Sequence, residues 1–422
     1  MTRFFPELTR KMLSPVKGKP HGGGDPRIQR DTEMKASSRD VNVKMIFLLF
    51  LIHFTGDFYN SFVSPLLPAF ASTFSLTLTQ VGFLAAISRV LSFVVQPPVG
   101  YLADHYRTRL FILGGPLLST IFMSLTGAAP NFLGLAFFVA LGSMGAAMFH
   151  PTAAGMVYSF AGSRFAFSMA FYNFGGTLAF GAGPVFIAYL VSRFGLHSSI
   201  YAMIPGLVII GLICRHVPVP GQEGLRKFGF IGSLREVFGG VWKSIVLMWV
   251  LGVLRTFVGQ SFITFIPILF SKEGYSLVSV GLLVSLYNVA GAVSGLCAGY
   301  LADRIGYKPV FYLSFCLSAP TLYLLLVVPE GAFVLAFLSG FFVMSTLPLF
   351  TVVVQEIAPR GRSMASGLMV GLSYGTGGMM TPITGKLADL YSIQSVLSVL
   401  PLLFLLMIIL IYFIPVPAKR VK

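Results

Sequence analysis

Long apolar runs separated by short polar stretches organise this chain from about residue 45 onward. The runs are helix-length, and they lack the period-two alternation of membrane strands. At 1.5 Å per residue, about 20 apolar residues cross a bilayer core. The pattern predicts twelve spans. In the first half these are 45–70, 79–102, 110–129, 132–158, 165–192 and 197–217. In the second half they are 244–270, 277–302, 309–328, 332–356, 363–389 and 395–414. Several exceed the minimum, which implies tilt or extension beyond the bilayer. The first run is too long for a cleavable signal. Five segments follow: a disordered polar tail (1–43), a six-helix bundle (44–217), a connector (218–242), a second six-helix bundle (243–414) and a basic tail (415–422).

Composition narrows the class. Hydrophobic residues make up 55% of the chain and charged residues 10%, well under the roughly 25% of soluble domains. The predicted fold class is an all-α polytopic membrane protein. A net charge of +16 would suggest nucleic acid in a soluble protein. Here the charge gives orientation instead. Of the 30 Lys and Arg residues, Arg193 and Lys272 flank one face, Arg89, Arg255 and Lys386 lie within spans, and the other 25 flank the face that carries both termini. By the positive-inside rule that face is cytoplasmic. The expected location is the inner (plasma) membrane, with both termini inside. Cys214, Cys297 and Cys316 are scattered and form no disulfide or metal pattern. No Walker A motif is present, and Gly375-Thr376-Gly377-Gly378 has no strand context for a dinucleotide site. No cofactor, metal or nucleic-acid partner is expected.

The chain repeats. Gly100-Tyr101-Leu102-Ala103-Asp104 returns as Gly299-Tyr300-Leu301-Ala302-Asp303, 199 residues later. Upstream, Val81, Gly82, Leu84, Val90 and Val94 recur as Val280, Gly281, Leu283, Val289 and Val293. Two homologous halves place a charged turn at the same membrane face.

On these residues the chain resembles the major facilitator superfamily, which has two pseudo-symmetric six-helix bundles and a G-x-L-x-D-R-x-G-R-K loop in each half. Gly299, Leu301, Asp303, Arg304, Gly306 and Lys308 match that loop. The first copy keeps Gly100, Asp104 and Arg109 but has His105 in the Arg place and Arg107 in the Gly place. The resemblance implies a cytoplasmic gate at these positions. Within the superfamily the chain resembles the fosmidomycin resistance family of drug exporters. The residues that carry this are His53 and Asp57, Gln96-Pro97 and Gly100, Phe149-His150-Pro151, Gly175-Gly176 with Gly183-Pro184, and Gln355-Glu356 with Pro359. Thr152, Asn173 and Thr177 depart from that family's pattern, and Arg89 is not one of its hallmarks.

Charges inside the spans are costly, so they mark function or a fixed pair. His53 and Asp57, four apart, share a helix face. Asp57 is the candidate proton-coupling carboxylate, with His53, and a contact of Asp57 with Arg89 or His53 is expected. Arg255 lies at the second-half counterpart of position 56. It either meets an anionic substrate group or pairs with Asp57 across the halves. His150 reads substrate, carries protons or bonds a carbonyl near Pro151. Arg89, Arg255, His150, Tyr172, Asn173, Gln260, Tyr287, Asn288 and Tyr374 are the candidate cavity residues. Glu356 is expected to pair with Arg360 and Arg362, and Lys386 with Asp389. Span five (Gly175, Gly176, Gly181, Gly183, Pro184) and span eleven (Gly371, Gly375, Gly377, Gly378, Pro382) are glycine-rich and proline-bent, as alternating access would use.

The expected function is secondary transport of a small organic molecule by a monomer, through proton-coupled antiport out of the cell, and not an enzyme activity. Proton-coupled uptake of an organic anion, or a membrane sensor or scaffold on the same fold, are the alternatives.

Overall fold

The computed structural model describes residues 40–105, 109–162, 164–219, 240–357 and 362–414. All regular structure among them is helical. The first half holds α1 (Val43–Asn60), α2 (Val63–Thr73), α3 (Leu78–His105), α4 (Leu110–Leu125), α5 (Phe132–Phe160), α6 (Phe165–Phe194) and α7 (Met203–Ile213). The second holds α8 (Trp242–Lys272), α9 (Leu277–Ile305), α10 (Tyr307–Val327), α11 (Ala332–Ser345), α12 (Leu347–Ile357), α13 (Arg362–Met379), α14 (Thr381–Leu390), α15 (Ile393–Val399) and α16 (Leu402–Tyr412).

These helices make twelve membrane spans in two bundles of six. Eleven stretches among the described residues are long and apolar enough to cross on length and composition. The remaining one is the α13–α14 pair, interrupted at Met380. Span one is α1 and α2 together. It breaks near Ser61, where Pro65 cannot donate to the Ser61 carbonyl, and the Ser61 hydroxyl bonds Phe58 O at 2.7 Å. Turn residues start the helices. Asn42, Asn131, Ser276 and Ser392 each accept the backbone N–H three residues ahead through the side chain, which satisfies a donor that a helix start leaves open.

The halves meet mainly where α3 packs against α13 and α14, α6 against α9, and α2 against α8. Two of these are tight enough to require glycine. A Cβ on Gly82 would lie 2.7 Å from Thr381 O, and one on Gly281 would lie 2.7 Å from Pro184 O. Small residues bring backbones together where apolar side chains gain little from leaving lipid.

Hydrogen bonds between the halves, among the described residues, run from the rim opposite the termini to mid-depth. At that far rim Asp389 of α14 accepts from Leu78 N at 2.7 Å, Thr79 N at 2.9 Å and the Thr79 hydroxyl at 2.5 Å. It thereby caps the start of α3. Thr381 Oγ1 donates to Gly82 O at 2.9 Å. Ser64 Oγ donates to Ile263 O at 2.7 Å, between residues 199 apart. The expected Lys386–Asp389 pair is therefore corrected. A helix start offers two aligned N–H groups and a positive end, and no such pair forms within 4.0 Å among the described residues.

Candidate functional site

Two polar clusters lie at mid-depth, one within the first half and one between the halves. The first belongs to the first half. His53 and Asp57 are one turn apart on α1, and His53 Nε2 lies 3.1 Å from Asp57 Oδ2. His150, from α5, brings its Nε2 to 3.5 Å from Asp57 Oδ1. Pro151 follows it, but the carbonyl that His150 bonds is Ala146 O, not the Ala147 carbonyl that the proline leaves without a donor.

The tautomers follow from the partners. His53 Nδ1 lies 2.9 Å from Tyr172 O and His150 Nδ1 lies 2.7 Å from Ala146 O. A carbonyl oxygen only accepts, so each Nδ1 carries a hydrogen. Each Nε2 then faces a carboxylate oxygen and attracts it only when that nitrogen is protonated. The three side chains form a nest in which one nitrogen or carboxylate oxygen from each lies within 4.8 Å of the others. The Tyr172 ring stacks on His53 at 4.2 Å between centroids. Gly176 of α6 closes over the cluster. A Cβ there would lie 2.5 Å from His53 Nε2 and 2.9 Å from Asp57 Oδ2. Asp57 is 4% exposed, a burial that a carboxylate tolerates only with such partners.

The second cluster lines a cavity of about 140 Å³ between the halves. Arg89 of α3, Arg255 and Gln260 of α8, Tyr287 and Asn288 of α9 and Tyr374 of α13 line it. Arg89 Nε donates to Gln260 Oε1 across the interface at 3.0 Å. Arg255 is 5% exposed. Its Nη atoms reach Val343 O and Thr256 Oγ1, each at 3.3 Å, and its Nε has no hydrogen-bond partner among the described residues. Both guanidiniums face one ring. Arg89 Cζ is 5.8 Å and Arg255 Cζ 5.5 Å from the Tyr374 centroid, within cation–π range.

Asp57 meets His53, one of the two partners expected for it, while Arg89 bonds Gln260. Other expectations are corrected. Arg255 does not pair with Asp57, because the two histidines already occupy that carboxylate. His150, Tyr172 and Asn173 lie outside the cavity lining. The first two belong to the Asp57 cluster, and Asn173 is exposed. Nothing in the sequence linked His150 to Asp57, since the contact joins residues from two different spans.

The expected gate positions lie at the rim near the termini. Gly100 and Asp104 are in α3, and Gly299 and Asp303 in α9. Arg109 is exposed. Arg304 is exposed and stacks on Tyr300 of its own helix at 4.3 Å. Gly306 takes φ +87° between α9 and α10, a conformation suited to glycine. Lys308 donates to Tyr412 O at 3.0 Å within its own half. Arg107 and Arg360 lie outside the described residues, as do the side chains of Asp104, Asp303 and Arg362. Glu356, expected to pair with Arg360 and Arg362, accepts from the Tyr307 hydroxyl at 2.8 Å.

The sequence profile described as Major Facilitator Superfamily matches residues 49–296 and 248–422. The chain belongs to the major facilitator superfamily. Among curated relatives it is similar to the fosmidomycin resistance protein of Escherichia coli, 27% identical over 354 residues that span 82% of this chain and 86% of that one. It is also similar to the uncharacterized transporter YfnC of Bacillus subtilis, 26% identical over 372 residues, with the same two coverages. Solved superfamily structures share the fold. A bacterial homologue of the human lysosomal transporter Spinster, inward-facing and occupied, has a TM-score of 0.77 at 15% identity, covering 89% of this chain and 97% of that one. The nucleoside transporter NupG has a TM-score of 0.67 at 15% identity, covering 88% and 98%. The chain is thus a multi-pass membrane protein with the fold of a secondary transporter.

Proposed function

We propose that this superfamily member exports a small organic molecule by alternating access, driven by protons that enter in exchange. The observation that carries the reading is the mid-depth cavity, which is lined by polar side chains from both halves. A site shared by two bundles that rock against each other is the arrangement alternating access requires. Proton coupling is supported by Asp57, whose two imidazole partners attract it only when protonated at Nε2. Opening the halves on one side would change the solvation of that nest, and with it the affinity for protons.

The Lys and Arg distribution puts the termini in the cytoplasm. The far rim held by Asp389 is then the outer rim, and the described bonds close it. Loops at Asp104 and Asp303 act as the gate on the inner side. The protein works as a monomer in the inner membrane. Similarity to the Escherichia coli relative supports efflux and a role in drug resistance.

Flux in proteoliposomes under an imposed proton gradient tests this reading, with fosmidomycin, the compound that relative is named for, as first probe. Movement against its own gradient, opposite in direction to the protons, is expected. Movement in the same direction as protons would replace export with uptake. Flux indifferent to the gradient would remove proton coupling.

A further inference from the structure

The cavity between the halves holds two cations and, among the described residues, no acid within 4.0 Å of either one. Arg255 is buried, and both of its bonded partners, Val343 O and Thr256 Oγ1, are neutral. One of its N–H groups has no acceptor among the described residues. Arg89 also has a neutral partner, the Gln260 amide. A buried charge without a counter-charge is costly. Arg89 is only partly buried, but two cations in one cavity repel as well, and Tyr374 between them offers only the face of a ring.

From this arrangement we infer that the cavity binds an organic dianion, with one negative charge facing Arg89 of the first half and the other facing Arg255 of the second. The inference rests on the cavity being the transported ligand's site. The two guanidinium carbons are no further apart than the sum of their distances to the Tyr374 centroid, about 11 Å. A compact ligand spans that gap. The cavity, about 140 Å³, is close to the roughly 150 Å³ that accommodates benzene in an apolar core. The buried Tyr287 hydroxyl has no hydrogen-bond partner among the described residues and can donate to an anionic oxygen. Asn288 lies 199 residues after Arg89, at the equivalent place in the second half. It offers an amide where a third cation would otherwise stand. A monoanion leaves one guanidinium uncompensated, whereas a dianion satisfies both and ties the halves together through itself. The two charges come either from two carboxylates or from one phosphoryl group, which the probes separate.

The test is equilibrium binding to the purified full chain in detergent near pH 8, with four probes on the same ring: isophthalate, phenylphosphonate, benzoate and benzamide. Isophthalate or phenylphosphonate binds at least about tenfold more tightly than benzoate, as one added charge-assisted contact gives, and benzamide binds most weakly. Preference for isophthalate assigns two separated carboxylates, and preference for phenylphosphonate assigns one phosphoryl group. Arg89→Gln and Arg255→Gln each bring the dianion down to the benzoate level, and Arg89→Lys and Arg255→Lys retain part of the preference. Should a Gln variant fail to fold, Asn288→Asp supplies an acid to the cavity and removes the preference instead. The proposal is overturned if benzamide matches the dianions, if the preference survives these changes, or if no dianion binds the folded wild type. Because binding is read without flux, that last result leaves the transport reading to the liposome experiment.

Discussion

Span one and span seven are the same element twice. Val43–Thr73 and Trp242–Lys272 are both 31 residues long, and they touch where Ser64 bonds Ile263, one repeat length apart. Their mid-depth chemistry is nevertheless opposite. Span one carries His53 and Asp57. One repeat later stand Gly252 and Thr256, and Arg255 falls where span one has Gly56. The acid is met within its own half by two histidines. The arginine finds no acid at all among the described residues. Duplication supplied the frame. The residues that break the symmetry give the two spans different chemistry, a carboxylate with two imidazoles in one and a guanidinium with neutral partners in the other.

Breaking the acid side gives the largest effect. Asp57→Asn leaves both Nε2 atoms without the carboxylate, and gradient-driven uphill flux in proteoliposomes is abolished while exchange down a gradient persists. Retained uphill flux would remove Asp57 from coupling. Next comes erasing the difference. Thr256→Asp puts an acid at the span-seven equivalent of Asp57, beside Arg255, and creates the internal pair the native chain lacks. Anion affinity then falls by about tenfold or more, since a bonded charge contact is worth about 1.5–3 kcal/mol. Isothermal titration measures this, and unchanged affinity means that Arg255 does not hold the ligand. Gly176→Ala forces a methyl group against His53 Nε2 and Asp57 Oδ2. Overpacking of this kind costs about 1–3 kcal/mol. A lower thermal midpoint with weakened proton coupling is expected, and an unaltered midpoint would show that α6 gives way freely.

Removing the cap at the far rim has the smallest effect. Asp389→Ala deletes the acceptor for Leu78 N and Thr79 N and costs about 1 kcal/mol, as loss of a helix cap does. That shifts the balance between open and closed rims by roughly fivefold. Labelling of a cysteine placed at Ser72 reads the shift, and unchanged accessibility would leave Asp389 as a cap without influence on the rim.

The fold was legible because the bilayer imposes a simple rule, that a span is a long apolar run with its backbone bonded internally. The 199-residue repeat then located Arg255 against span one before any coordinates. Other features escaped for a common reason. His150 and Asp57 are joined by the packing of α5 against α1. Asp389 sits three residues from Lys386, and local spacing favours that pair. The start of α3 is a better partner, but it is three hundred residues away in sequence.

Sequence by itself determined the class, the twelve spans, the duplication and the short set of intramembrane charges, because each follows from local apolarity or from a repeat along the chain. Only the tertiary structure decided which charges meet. It placed two histidines on Asp57, left Arg89 and Arg255 facing one tyrosine ring with no acid within 4.0 Å among the described residues, and gave Asp389 to the opposite half. Partner choice between helices depends on their rotation and on glycine-permitted closeness, and neither is written in the periodicity of any single helix.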